Sequence, residues 1–328
     1  MQPPRTSGSS RPVGSTSFVL DSPPGGSFAL PDQTPSPNFR RAILDRMHAL
    51  SWNRYPTIPP DILRRTPWDF SRYGASTIFG RGGEPVLLDA LRASGAHRMI
   101  VPEHSYPGYA RICGVIGARL DTYGDAAQLQ ELSTAPAAVD TVLVVTEPGN
   151  PLEIARPRLA VGALTPRLHM LVDAAYAVPY GRAFRSTVRW WIARGAAVCF
   201  TLSKMACFAG ARFGGVVRPR GAFPGMNQDQ RFWDVFSTAL MDAFGDPQVI
   251  ATALALSRAQ EAVGDSLARL LEAARIPVVG RGGGCFATVA AAHITPDVRR
   301  LLSAKDFDGT WTRIDATVRN IDRLKAHL

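Results

Sequence analysis

Between residues 98 and 204, short apolar runs alternate with helical segments, and this alternation constrains the fold more than any other feature of the chain. The runs, in chain order, are RMIVPE, YARICGVIG, ARLDTYG, DTVLVVTEP, RLHMLVDAAY, WWIARG and AAVCFTLSK. Strands that lack polar alternation are typical of parallel sheets, which helices cover on both faces. The pattern therefore predicts an α/β fold with a mainly parallel sheet.

The two ends of the chain differ from this central region. Residues 1–37 are rich in Pro, Gly and Ser, which predicts an extended N-terminal arm because such a composition buries little apolar surface. Residues 38–220, beginning with a helix capped by Asn38, form the predicted large α/β domain. Residues 221–328 predict a helical connection and a small C-terminal α+β domain, with room for one helix but no evident extra strand between FATVAAA and TWTRID.

The charge, the apolar stretches and the cysteines of the chain indicate which kinds of partner it lacks. The net charge of +10 would suit nucleic acid, but the basic residues are scattered and form no long run. No apolar stretch approaches the roughly 20 residues that cross a bilayer, and the N-terminus has no run of signal-peptide type. The four cysteines have neither metal-ligand spacing nor the spacing of a disulfide framework, so we expect no metal site. Together with the scattered charge and the absence of a long apolar stretch, this predicts a cytoplasmic protein that binds neither nucleic acid nor a membrane.

Polar residues follow the predicted strands at the points where these end. Asn150 follows TVLVV, Asp173 follows HMLV, and Lys204 comes shortly after AAVCF. A glycine-rich turn, FGRGGEP, leads into a helix that begins near Glu84 or Pro85. Ligands of open parallel sheets bind at the carboxyl ends of the strands, close to helix N-termini. The sequence therefore predicts a binding site at this edge of the sheet.

Taken in order, these segments resemble the class I and II aminotransferases of fold type I, with histidinol-phosphate aminotransferase-like proteins nearest. The resemblance runs from about residue 38 to the end. Its landmarks are RYP (54–56), RGGEP (81–85), HSYPGY (104–109), PGNP (148–151), VDAAY (172–176), TLSK…AGARFG (201–214) and TRID (312–315). It implies a pyridoxal 5'-phosphate (PLP)-dependent transferase with a large and a small domain, acting on amino acid and keto acid substrates as a homodimer.

The resemblance also implies roles at the cofactor ring. Lys204 would form an imine with the PLP aldehyde and then move the Cα proton of the substrate. Asp173 would keep the ring nitrogen protonated. Tyr106 would stack on the ring face, and Asn150 and Tyr176 would bond its phenolic oxygen.

Further roles concern the phosphate, the substrate and the neighbouring subunit. The implied phosphate donors are the backbone amides of Gly83 and Glu84 with the side chains of Thr201, Ser203 and Arg212. Pro85 has no amide hydrogen, so this cup has one donor fewer. Arg313 would clamp the α-carboxylate of the substrate, and Tyr55 would reach the cofactor phosphate of the other subunit.

Two alternatives to transamination stay open on the sequence. The same cofactor chemistry serves lyases, cyclases and decarboxylases, because the bond that is aligned with the ring decides which reaction follows. A non-catalytic binding protein that keeps the fold is the second alternative, although Lys204 and Asp173 are both present. Leu152 and Glu153 replace the glycine turn of the family after Asn-Pro, so the substrate class also stays open.

Overall fold

The computed structural model describes residues 33–52, 56, 60–159, 167–228, 233–302, 304–307 and 309–327, so most of the predicted arm and Tyr55 lie outside the described residues. The helices are α1 (Pro37–Ala49), α2 (Pro60–Arg65), α3 (Gly83–Ser94), α4 (Gly108–Ile116), α5 (Ala126–Thr134), α6 (Arg182–Ile192), α7 (Val235–Ala243), α8 (Pro247–Ala273), α9 (Pro296–Leu301) and α10 (Val318–His327). The strands are β1 (Ala75–Gly80), β2 (Arg98–Pro102), β3 (Arg119–Tyr123), β4 (Thr141–Thr146), β5 (Leu168–Asp173), β6 (Ala197–Thr201), β7 (Gly214–Pro219), β8 (Val278–Gly280), β9 (Phe286–Ala290), β10 (Lys305–Phe307) and β11 (Trp311–Asp315).

Within the described ranges, a seven-stranded sheet forms the centre of the large domain. Its strand order is β1-β7-β6-β5-β4-β2-β3. The strand β7 runs antiparallel to both of its neighbours, and the remaining pairs are parallel. Thr146 of β4 lies opposite Asp173 of β5, which in turn lies opposite Cys199 of β6. The carboxyl ends of these three strands therefore meet at one edge of the sheet.

The strand β4 shows why this sheet is covered on both faces. All six of its residues are buried. Leu143 and Val145 belong to the apolar core on one side of the sheet, whereas Val142 and Val144 belong to the core on the other side. Side chains alternate between the two faces of a strand, so an uninterrupted apolar run is stable only where helices cover both faces.

A four-stranded antiparallel sheet, in the order β10-β11-β9-β8, forms the small domain within the described residues. Val289 of β9 and Ile314 of β11 pack on one face of this sheet against Leu267 of α8. The other end of α8 carries Val249, which is buried in the core of the large domain. The 27-residue helix α8 therefore ties the two cores together.

The predicted α/β fold with a small C-terminal α+β domain is confirmed, but two local predictions are wrong. Ser36 caps α1 in place of Asn38: the Phe39 amide donates to Ser36 Oγ at 3.2 Å, and Pro37 fills the first helical position. The strand β10 forms where the sequence indicated only a helix, because three residues are too few to show a periodicity. The boundaries of the domains stay a prediction.

Three properties of the described residues bear on the expected partners. No described helix is both long and apolar enough to cross a membrane. No group of three or more His, Cys, Asp or Glu side chains in the described ranges could hold a metal ion. The four cysteines are free, and Cys113, Cys199 and Cys285 are buried.

We expect Trp68→Ala to lower the free energy of unfolding by about 3–5 kcal/mol, the usual range for a buried aromatic side chain. Trp68 is fully buried, lies parallel to Phe200 at 5.8 Å between ring centroids, and donates from Nε1 to the Pro179 carbonyl at 2.9 Å. Trp52, which is 66% exposed, provides the control, since Trp52→Ala should change stability little. Equal losses for both variants in urea unfolding would contradict the packing described here.

Candidate active site

A cavity of ≈380 Å³ lies at the carboxyl ends of β4, β5 and β6 and is bordered on its other side by the small sheet. Apart from Tyr55, which lies outside the described residues, every predicted site residue lines this cavity. These residues are Gly83, Glu84, Tyr106, Asn150, Asp173, Tyr176, Thr201, Ser203, Lys204, Arg212 and Arg313.

One end of the cavity is a cup of hydrogen-bond donors, built where α3 begins next to the end of β6. A Cβ on Gly83 would lie 3.5 Å from the Cβ of Thr201. Gly82 has a φ of +96°, and a Cβ there would lie 2.7 Å from Nη2 of Arg212, so the guanidinium packs directly against this glycine. The hydroxyl oxygens of Thr201 and Ser203 lie 3.0 Å apart. Backbone amides, hydroxyls and a guanidinium thus converge as they do in phosphate sites.

Asp173 provides the carboxylate on the floor of the cavity. Its Oδ2 accepts a hydrogen bond from the Tyr109 hydroxyl at 2.6 Å, and its Oδ1 accepts one from the Ala175 amide at 3.0 Å. Burial raises the pKa of Asp173, and the hydrogen bonds from Tyr109 and Ala175, together with the charge of Lys204, act against that shift. A cation placed beside this carboxyl group would favour its ionised form.

Lys204 is the buried amine of the cavity, with only 8% of its surface exposed. Its Nζ lies 5.7 Å from the centroid of the Tyr176 ring. Burial, and secondly the positive charge of Arg313, lower the pKa of Lys204 to about 8. A substantial fraction of this amine is therefore neutral near physiological pH, as a nucleophile or a base requires.

Tyr106 borders the cavity and is held in place by a carboxylate. Its hydroxyl donates to Oε2 of Glu84 at 2.6 Å, and Arg111 pairs with the other oxygen of Glu84. Its ring meets that of Tyr109 edge-on, with 5.5 Å between centroids. A Cβ on Gly108 would lie 2.1 Å from the Tyr106 ring, so the glycine leaves the space that this ring occupies.

Arg313 reaches the cavity from the small domain. It is 4% exposed, and its Nη1 donates to Oδ1 of Asn150 at 3.1 Å. The guanidinium carbon lies 5.0 Å from the centroid of Phe286 and 5.7 Å from that of Phe307. The position of this guanidinium is thus fixed by an amide from the large domain and two rings from the small one.

Sequence reasoning missed two residues of the site. Tyr109 lies within the HSYPGY segment, but nothing in its spacing indicated that its hydroxyl meets Asp173. Lys305 lines the cavity from β10, directly opposite Arg313 in the antiparallel pairing with β11. The sequence does contain an indication of β10. The short segment KDF stands just before TWTRID, and two strand segments separated by a tight turn can pair as a hairpin.

A family model described as "Aminotransferase class I and II" matches residues 26–297 of the chain. The chain belongs to the class I and II aminotransferase family. The chain is also similar to the histidinol-phosphate aminotransferase of Geobacter sulfurreducens, at 30% identity over 194 residues. That match covers 56% of this chain and 55% of the relative, so the chain spans about half the length of the curated relative that it matches.

Solved aminotransferase structures share the fold of this chain. A putative histidinol-phosphate aminotransferase from Erwinia carotovora atroseptica has a TM-score of 0.67 at 16% identity, over 91% of this chain and 94% of that one. An aminotransferase from Mycobacterium tuberculosis has a TM-score of 0.68 at 18% identity, over 90% and 87% of the two chains. Histidinol-phosphate aminotransferase from Sinorhizobium meliloti, solved in complex with pyridoxal-5'-phosphate, has a TM-score of 0.64 at 17% identity, over 89% and 86%.

The cofactor of this aminotransferase family is PLP, and the cavity fits that molecule. The cup at Gly82 and Gly83 could supply donors for a phosphate, and a side chain at Gly82 would displace the Arg212 guanidinium that packs there. Asp173 supplies a carboxylate for a protonated ring nitrogen, and Lys204 supplies an amine for an aldehyde. The cavity thus holds groups suited to the phosphate, the ring nitrogen and the aldehyde of the cofactor.

If Lys204 is the amine that holds PLP, the rate at which the cofactor-free chain takes up PLP should rise with pH, with a midpoint at about 8. The reason is that only the neutral amine of Lys204 attacks an aldehyde, and the neutral fraction grows as the pH rises through the pKa. Stopped-flow absorbance over about pH 6.5–9.5 measures this rate, with Nα-acetyl-lysine as the reference amine of ordinary pKa. A protein profile that follows the reference, rising without a midpoint up to about pH 9.5, would contradict the lowered pKa of Lys204.

Proposed function

We propose that this chain catalyses transamination between an amino acid and a keto acid, with Lys204 as the residue that holds PLP and moves the Cα proton of the substrate. One observation carries the proposal: the buried amine of Lys204, the carboxylate of Asp173 and the guanidinium of Arg313 line the same cavity. Bound PLP would supply the electron sink that stabilises a carbanion at the substrate Cα.

The cofactor side of the site has two tasks. Thr201, Ser203, Arg212 and the amides at the start of α3 would bind the phosphate, and the helix N-terminus favours a negative charge there. Asp173 would hold a proton on the ring nitrogen by accepting its hydrogen bond. The Tyr109 hydroxyl and the Ala175 amide support this task because both donate to Asp173 and thereby orient it.

Lys204 has the acid–base task. Nζ would take a proton from the Cα of the bound substrate and return it at a different position. A general base works best when its pKa lies near the working pH, and the pKa of about 8 for Lys204 meets that condition. Tyr106, fixed by Glu84, would exclude water from one side of the reacting centre.

Arg313 has the binding task. A guanidinium forms two parallel hydrogen bonds with a carboxylate, so it both attracts and orients the substrate. The hydrogen bond to Asn150 and the rings of Phe286 and Phe307 hold this guanidinium at the mouth of the cavity. An α-carboxylate bound to Arg313 would place the Cα of the amino acid in the cavity that Lys204 also lines.

Three earlier expectations stay predictions. They are a homodimer with a shared active site, a contribution from Tyr55 to the cofactor phosphate of the other subunit, and a location in the cytoplasm.

Borohydride reduction of the PLP-loaded protein should fix a pyridoxyl group on Lys204. The chain contains three lysines, Lys204, Lys305 and Lys325, so mass spectrometry of the peptides assigns the label without ambiguity. Lys204→Ala should lose the label, and Lys325→Ala, which alters an exposed position on α10, should keep it. A label on Lys305 or Lys325 in the unmodified chain would refute the assignment.

The same preparation separates transamination from the other PLP reactions. Mixing the loaded protein with an amino acid in the absence of a keto acid should convert the cofactor to its pyridoxamine form, because the amino group stays behind when the keto acid leaves. Chromatography of the released cofactor measures this conversion. Release of ammonia or carbon dioxide with the cofactor unchanged would instead identify a lyase or a decarboxylase.

A further inference from the structure

One face of the small sheet borders the substrate end of the cavity. Arg313 of β11 lies between Lys305 of β10 and Thr288 of β9 in the strand register. Thr288 Oγ1 donates to the Pro151 carbonyl of the large domain at 2.9 Å, which shows that this face of the sheet packs against the loop that carries Asn150. Lys305 and Arg313 both line the cavity. Two cationic side chains thus stand side by side where the substrate enters.

A carboxylate lies next to Arg313 on the same strand. Asp315 is two residues beyond Arg313 on the same face of β11, and its Oδ1 lies 3.6 Å from Nε of Arg313. The Asp315 side chain is 29% exposed, whereas that of Arg313 is 4% exposed. Asp315 does not itself line the cavity, whose remaining charged groups are Asp173 and Lys204 on the side of the large sheet and Glu84 and Arg212 at the cup. The substrate end therefore carries two positive charges and one negative charge.

We propose that Asp315 determines the substrate class by cancelling one of the two positive charges, so that the site fits amino acids whose single anionic group is the α-carboxylate. This inference rests on the proposed function, since it assumes that the α-carboxylate binds Arg313. A substrate with one carboxylate neutralises the remaining charge. A dicarboxylic or phosphorylated substrate brings a surplus negative charge close to Asp315, and like charges at a desolvated site disfavour binding.

The remaining walls of the cavity agree with an uncharged side chain. Leu87, Pro107, Ala209 and Phe307 also line the cavity, and the Phe307 ring lies 5.7 Å from the guanidinium carbon of Arg313. Apolar surface contributes to binding when it contacts an apolar group of the ligand and is removed from water. An aliphatic or aromatic amino acid therefore satisfies both the charge balance and the apolar walls.

The test compares L-leucine with L-aspartate as amino donors of the PLP-loaded protein. The unmodified chain should convert its cofactor with a higher kcat/KM for L-leucine. Asp315→Asn keeps the shape and removes the charge, so it should lower the leucine-to-aspartate ratio of kcat/KM by about tenfold, or about 1.4 kcal/mol. Asp322→Asn removes an exposed carboxylate of α10 and should leave the ratio unchanged.

Lys305→Met tests the same charge balance even if Asp315→Asn does not fold. Lys305→Met removes a positive charge and should raise the leucine-to-aspartate ratio. The double variant Lys305→Met, Asp315→Asn carries the net charge of the unmodified site and should return the ratio towards its original value. Equal ratios in all four chains, or an unmodified chain that prefers L-aspartate, would overturn the inference.

Carboxylate binding gives a readout that does not depend on turnover. Calorimetric dissociation constants for butyrate and succinate should show that Asp315→Asn tightens succinate more than butyrate, and an equal effect on both anions would overturn the inference. A chain that converts no amino acid at all would refute the proposed function, and the two dissociation constants would still decide the role of Asp315.

Discussion

The parallel pairing of β4, β5 and β6 is the constraint on which the site depends. Because Thr146, Asp173 and Cys199 lie opposite one another, the loops that follow the three strands start at the same level above the sheet. Asn150, Asp173 and Lys204 can then approach one cavity although more than fifty residues separate the first from the last. A slip of one residue in β5 would turn Asp173 towards the opposite face of the sheet, and the carboxylate would leave the cavity.

The second constraint is the contact between the small sheet and the loop after β4. Arg313 bonds to Asn150, and Thr288 bonds to the Pro151 carbonyl, so one short loop positions residues from both domains. Burial, and secondly the charge of Arg313, lower the pKa of Lys204. The side of the cavity at the small sheet and the side at the large sheet therefore influence each other electrostatically.

The large-domain half of the site could be predicted from the sequence because each of its residues follows a recognisable strand or begins a recognisable helix. Asp173 after HMLV, Lys204 after AAVCF and the glycines before α3 are local signals. Tyr109 escaped prediction because its partner is 64 residues away in the chain. Lys305 was not predicted as a residue of the site because β10 is a strand only through its pairing with β11, and three residues show no periodicity of their own.

The sequence by itself determined the α/β fold, because burial on both faces of a sheet and the turns after its strands leave patterns along the chain, and its resemblance to the class I and II aminotransferases indicated the family and the cofactor. Only the tertiary structure decided the charge at the small sheet, where Lys305, Arg313 and Asp315 come together. The physical reason is that electrostatic energies depend on distance and burial in space. Register between strands, and the depth at which a side chain lies, set both quantities, and neither can be read from the spacing of residues in the chain.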